Sequence, residues 1–139
     1  LYEEYINQID VSSDYIQEQI QQEMMEIKRR LQKYRGSETF PPVMNQTVIL
    51  IDDGIATGFT LLAAIKSIHA HAPKKLILAV PVAPTETIEA FRQFVDDIIC
   101  LHSIDRFTSV GAYYESFPQV TEEQMKSYID LLNKQQVIM

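Results

Sequence analysis

The stretch Val48-Ile49-Leu50-Ile51-Asp52-Asp53-Gly54-Ile55-Ala56-Thr57-Gly58-Phe59-Thr60 changes character twice. Its opening run of Val, Ile and Leu suits a strand buried on both faces of a parallel sheet. The run stops at two adjacent carboxylates. A loop of small residues then leads into a helix expected from Thr60 to about His71, with Leu61, Ala64, Ile65 and Ile68 inward. In an open α/β sheet, ligands bind beyond the carboxyl ends of the strands. Adjacent acids there are costly unless something cationic or hydroxyl-rich meets them. The loop behind them offers backbone N–H groups, the hydroxyls of Thr57 and Thr60, and the positive end of the following helix, which together can cradle a phosphate. An acid pair followed by an anion loop suits a sugar phosphate, hydroxyls toward the carboxylates and phosphate in the loop.

Other readings of the same stretch fare worse. A nucleoside-triphosphate loop of the Walker type needs Gly-Lys-Ser/Thr after its turn, and no lysine lies between Asp52 and Thr60. A receiver domain needs a further acid closing a later strand, where this chain has Val80-Pro81-Val82. A plain turn into a capped helix would use neither both acids nor both threonines.

Outward from this stretch the chain alternates. Leu76-Ile77-Leu78-Ala79-Val80 reads as a second buried strand, Pro84-Thr85 opens a helix with Ile88, Phe91 and Val95 inward, and Ile98-Ile99-Cys100-Leu101 reads as a third strand. Strand, helix, strand, helix, strand predicts a parallel sheet with right-handed crossovers. Upstream, Ile16, Ile20, Met24, Ile27, Leu31 and Tyr34 step by three or four, which predicts a long amphipathic helix from Ser13 to about Arg35. Ser13 or Asp14 can cap its start and Gly36 can end it. Leu1 to Val11 read as helical or irregular. Downstream, Thr121 and Gln124 form a capping box before a last helix whose apolar side is Met125, Tyr128, Ile129 and Leu132. The expected organisation is one domain: a long helix over 12–36, an α/β core over 46–101, and an aromatic segment with a C-terminal helix over 102–139.

Composition narrows the function. The chain has 139 residues, enough for a core without staples. Its formal charge of −7 argues against a partner held by a diffuse basic surface, nucleic acid above all. The lone Cys100 excludes an internal disulfide and suits a reducing compartment, so a cytoplasmic location is expected. No apolar run reaches membrane-spanning length.

Val48 to Leu61 resembles the phosphoribosyl-pyrophosphate signature of the type I phosphoribosyltransferases: an apolar strand, two acids, a short loop, then Thr-Gly-x-Thr. Tyr34-Arg35-Gly36, Ala79-Val80-Pro81-Val82-Ala83-Pro84, and Val110-Gly111 through Tyr114-x-x-Phe117 resemble recurring phrases of one bacterial subgroup of that family. The resemblance covers most of the chain from about Tyr34 onward. It implies a three-layer α/β fold with a parallel sheet, here with an extra long amphipathic helix on the N-terminal side. It also implies a glycosyltransferase of nucleotide metabolism or nucleoside salvage, moving ribose 5-phosphate between phosphoribosyl pyrophosphate and a purine or pyrimidine base with Mg2+. By that resemblance Asp52 and Asp53 are the catalytic pair, facing the ribose hydroxyls or the metal directly or through water. Gly54, Ala56, Thr57, Gly58, Phe59 and Thr60 would complete the ribose 5-phosphate site. Two departures stand out. Phe59 occupies a position where the family usually has a small residue. The chain is also expected to begin after the family's first strand and pyrophosphate loop, so little turnover is expected of it alone. The alternative within the fold is a non-catalytic module that senses phosphoribosyl pyrophosphate or nucleotides; a phosphate hydrolase using the acid pair for metal is a third reading.

The remaining candidates each have two readings. Lys28, Arg29, Arg30, Lys33 and Arg35 gather at the end of the long helix, either as a solvated face complementing the helix dipole or, with Arg30, Lys33 and Arg35, as a flap over pyrophosphate. Tyr113 and Tyr114 lie where the resemblance places a hood over the base and are candidates for stacking on it, against ordinary packing. Glu115 is a loop acid that could reach base or metal, and His102 follows a strand end. His69 and His71, two apart on a helix, point in different directions and do not make a metal pair. Cys100 is expected to be buried and inert. A homodimer is expected only by analogy with the family.

Overall fold

The structure is a computed structural model, and it describes residues 12–136, without the side chains of 133–136. The expectation for Leu1 to Val11 lies outside the described residues. Contacts sort the described chain into two compact units, residues 41–119 and residues 12–40 with 120–136.

The first unit is the α/β core. Strands β1 (Thr47–Ile51), β2 (Lys75–Pro84) and β3 (Asp97–Ile104) form a three-stranded sheet in the order β1-β2-β3. Both pairings are parallel, with Val48 beside Leu76 and Val80 beside Cys100. Helix α2 (Phe59–His69) joins β1 to β2, and helix α3 (Thr85–Phe91) joins β2 to β3. This is the α/β alternation expected from the sequence.

Successive right-handed crossovers advancing the same way across a sheet place their helices on one face. Burial follows that rule. Leu76, Leu78, Val80 and Val82 alternate along β2 and are all buried, as are Leu61, Ile65 and Ile68 of α2 and Ile88 and Phe91 of α3. The opposite face holds Ile49, Ile51, Ile99 and Leu101, which are 57 %, 73 %, 51 % and 69 % exposed. The apolar runs of β1 and β3 therefore read correctly as strands, but the burial on both faces expected of β1 is not realised, since Ile49 and Ile51 are exposed. A run of Val, Ile and Leu records that a face is apolar, not what covers it.

Several local details differ from expectation: β2 runs on to Pro84 and β3 to Ile104, so His102 lies within β3 rather than after it. Val95 lies beyond α3, which stops at Phe91. Cys100 is half-buried rather than buried, its thiol 3.4 Å from the carbonyl oxygen of His102.

The second unit contains helices α1 (Ser13–Arg35) and α4 (Glu122–Gln136). Helix α1 starts one residue earlier than its expected caps imply, because Ser12 is the N-cap and its hydroxyl accepts from the Tyr15 N–H at 3.2 Å. Gly36 ends it in the left-handed region, at φ 66°. The capping box at α4 is reciprocal: the Thr121 N–H donates to Gln124 Oε1 at 2.9 Å, and the Gln124 N–H donates to Thr121 Oγ1 at 3.2 Å. No residue of α1 is buried, and Ile20, Met24 and Ile27 are about half exposed. Capping and ion pairs therefore supplement the partial packing of the α1 apolar stripe. Arg29 and Lys33 pair with Glu122, and Arg29 and Arg30 pair with Glu26. Among the described residues no helix is long and apolar enough to cross a membrane.

Candidate active site at the end of the first strand

The acid pair sits where β1 leaves the sheet. The Asp52 N–H still donates to the Ala79 carbonyl, at 3.3 Å, so Asp52 continues the β1–β2 ladder by one bond. The Asp53 N–H then turns onto the Asp52 carboxylate, at 3.0 Å. Two residues later the Ile55 N–H donates to the Val82 carbonyl at 3.0 Å, and the Ile55 side chain is 2 % exposed. The turn is thus pinned on both sides of the acids by β2. Burial and the neighbouring Asp52 carboxylate raise the Asp53 pKa above the usual carboxylate range.

Two glycines let the chain pass through tight places. A Cβ at Gly54 would stand 2.8 Å from Val110 Cγ1 and 3.0 Å from Val82 Cγ1. Gly58 has φ 75°, and a Cβ there would stand 2.8 Å from two ring carbons of Phe91. Gly58 is also the N-cap of α2, with no side chain capping it. The Leu62 N–H bonds to the Gly58 carbonyl at 2.8 Å. As at any helix start, the amides of the first turn are directed out of the helix end.

Asp52 and residues 54–61 line one depression of about 150 Å³. That is below the ~300–1,000 Å³ of a whole small-molecule site. Asp52, Gly54, Ala56, Thr57, Gly58, Phe59 and Thr60, singled out from sequence, all border it. Asp53 belongs to the same turn, and Phe59 is half-buried at the rim.

None of the other candidates is among the residues that line this depression. Arg30 is engaged with Glu26, Lys33 with Glu122, and Arg35 donates to the Thr39 carbonyl at 2.9 Å, all within the helical unit. Tyr113 stacks on Phe107 with ring centroids 5.3 Å apart. Tyr114 lies 5.0 Å from the Phe117 ring, and its hydroxyl donates to the Asp53 carbonyl at 2.6 Å. Glu115 and His102 are exposed. The His69 and His71 rings contact the Phe94 and Ser67 carbonyls at 2.8 and 2.9 Å. Sequence reasoning missed the Tyr114–Asp53 contact, because nothing periodic marks a tyrosine 61 residues away as a partner of the acid turn. It also missed the chain of hydroxyls beside the strand ends, in which Ser103 Oγ donates to Thr85 Oγ1 at 2.8 Å and Thr85 Oγ1 donates to Asp105 at 2.7 Å.

Comparison with known proteins shows the family. The model of the phosphoribosyl transferase domain family matches residues 1–115. Two curated proteins of Mycobacterium tuberculosis, from strains CDC 1551 / Oshkosh and H37Rv, are provisionally named phosphoribosyl transferases and are 32 % identical over 108 residues. That alignment takes in 78 % of this chain but 24 % of theirs, so the chain spans about a quarter of their length. The crystal structure of TT1426 from Thermus thermophilus superposes with a TM-score of 0.73 at 28 % identity, over 86 % of this chain and 57 % of that one. With the acid turn and its loop at the end of β1 and the family match across most of its length, this chain belongs to the phosphoribosyl transferase domain family.

Proposed function

We propose that this chain binds phosphoribosyl pyrophosphate together with Mg2+ and serves the transfer of ribose 5-phosphate to or from a purine or pyrimidine base, in the cytoplasm. One observation carries the reading: a depression bordered jointly by Asp52, Gly54 and the leading turn of α2, with Thr57 and Thr60 in its lining. The 5′-phosphate would sit against the backbone of residues 56–60, with the Thr57 and Thr60 hydroxyls and the positive helix end supplying favourable charge. Asp52 and Asp53 would face the ribose hydroxyls. Anchoring the phosphate fixes the position of the anomeric carbon, and carboxylates nearby favour the cationic character that develops there as the bond to pyrophosphate breaks.

The donor set suits the metal. Asp52 and Asp53 offer hard oxygen ligands; burial and then the neighbouring Asp52 charge raise the Asp53 pKa, and a cation would relieve the repulsion between the two carboxylates. Mg2+ is commonly held by one or two carboxylates together with substrate phosphates and water. When bound it would neutralise charge on the departing pyrophosphate.

Calorimetry with phosphoribosyl pyrophosphate and Mg2+ tests the proposal. The chain is expected to bind, and Asp52→Asn with Asp53→Asn is expected to weaken binding roughly tenfold or more. Undiminished affinity in the double variant, or no binding by the parent, would sink the reading. Binding and turnover are separate readouts, and binding without base-dependent pyrophosphate release would point to a sensing module.

A further inference from the structure

We infer that Tyr114 is a positioning residue for the acid-pair turn, an inference that takes its ligand from the function proposed above but its geometry from contacts independent of that function. The turn is gripped from the segment that follows β3. The short 3-10 turn Val110–Tyr113 brings Val110 against Gly54, where a Cβ would come within 2.8 Å, and delivers Tyr114 to the Asp53 carbonyl at 2.6 Å. Tyr114 is half-buried and its ring packs on Phe117. Phe117 is itself seated on Gly111, where a Cβ would stand 3.0 Å from its ring. The ring is thus held from behind while its hydroxyl points at the turn.

Three hydrogen bonds then define successive parts of one short backbone. The Asp53 N–H is held by the Asp52 carboxylate, the Asp53 carbonyl by Tyr114, and the Ile55 N–H by the Val82 carbonyl. Fixing the amide and the carbonyl of one residue fixes the direction of its Cα–Cβ bond, and hence where its carboxylate can reach. A site whose reacting groups are held in advance binds with less ordering cost. Tyr114, one of the two candidates for stacking on the base, is engaged by its hydroxyl with the Asp53 carbonyl. The phosphate loop, residues 56–60, lies beyond the gripped turn and has its own anchors in Gly58 and Phe91.

Tyr114→Phe keeps the ring on Phe117 and removes only the hydroxyl, so the fold is expected to survive. The test compares the parent chain and this variant by titration with phosphoribosyl pyrophosphate plus Mg2+, by titration with inorganic phosphate, and by amide hydrogen exchange at Ile55. Loss of one neutral hydrogen bond predicts roughly three- to tenfold weaker binding of phosphoribosyl pyrophosphate. It also predicts unchanged phosphate binding and faster exchange at Ile55. A variant indistinguishable from the parent, or one that loses both ligands equally, overturns the inference. Should the parent bind neither ligand, the proposed function fails while exchange still decides the clamp: faster exchange in the variant upholds it, and unchanged exchange removes it.

Discussion

At the residue scale, the loop depends on positions that tolerate no side chain. Gly58 and Gly36 both have positive φ, 75° and 66°, yet a Cβ at Gly36 meets nothing within 4 Å whereas one at Gly58 runs into the buried Phe91 ring. Gly36→Ala is therefore expected to cost about 1 kcal/mol from backbone strain alone. Gly58→Ala adds a clash with a ring buried in the core, for about 2–4 kcal/mol in all. Urea denaturation of the two variants checks the difference; equal costs would show that Phe91 yields. The positive φ at Gly36 was legible, since an amphipathic period ended there. The demand at Gly58 was not, because Phe91 comes from another helix and no local pattern announces it.

At the element scale, α1 is held by capping and charge. Its apolar stripe was plain in the sequence, and its ends fell within a residue of the expected caps. Hidden from view was the partner of its basic end: Arg29 donates to Glu122 at 2.5 Å, and Lys33 pairs with the same carboxylate. The basic cluster was read as a solvated face or a flap, and the pairing acid enters α4 almost ninety residues later. Hydrogen bonds from Arg29 and Arg30 hold the Glu26 carboxyl down to about 2, and those from Arg29 and Lys33 do the same for Glu122. A carboxyl whose folded pKa lies below its unfolded value stabilises above the unfolded pKa, and that stability fades as pH falls through the folded one. Helical stability is thus expected to decline between about pH 4.5 and 2, with a small amplitude because these pairs face solvent. Far-UV circular dichroism during acid titration and thermal melts reads this. Glu122→Gln should flatten part of the decline, and molar salt should mimic it at neutral pH; a melt insensitive to both would remove the ion pairs from the account.

At the scale of the whole α/β unit, burial is one-sided. Leu78 is 0 % exposed and Ile99 is 51 % exposed, although their strands run side by side and both residues look equally apolar in the sequence. Leu78→Ala is expected to cost about 2–5 kcal/mol, through lost transfer energy and the cavity left behind. Ile99→Ala should cost roughly 1 kcal/mol or less. Chemical denaturation of the two variants measures the ratio, and a comparable loss at Ile99 would mean that its face is covered in solution.

The sequence alone determined the parallel α/β alternation, the extent of the long helix, and the acid turn followed by a loop of small residues into a helix. These are written in periodicity, capping residues and short-range chemistry, all of which act over a few consecutive positions. Only the tertiary structure decided which sheet face is core, that Phe91 shuts the space at Gly58, that Glu122 answers the basic helix end, and that Tyr114 grips the Asp53 carbonyl. Each of these joins residues far apart in the chain, and a contact across that separation depends on packing geometry that no local pattern encodes.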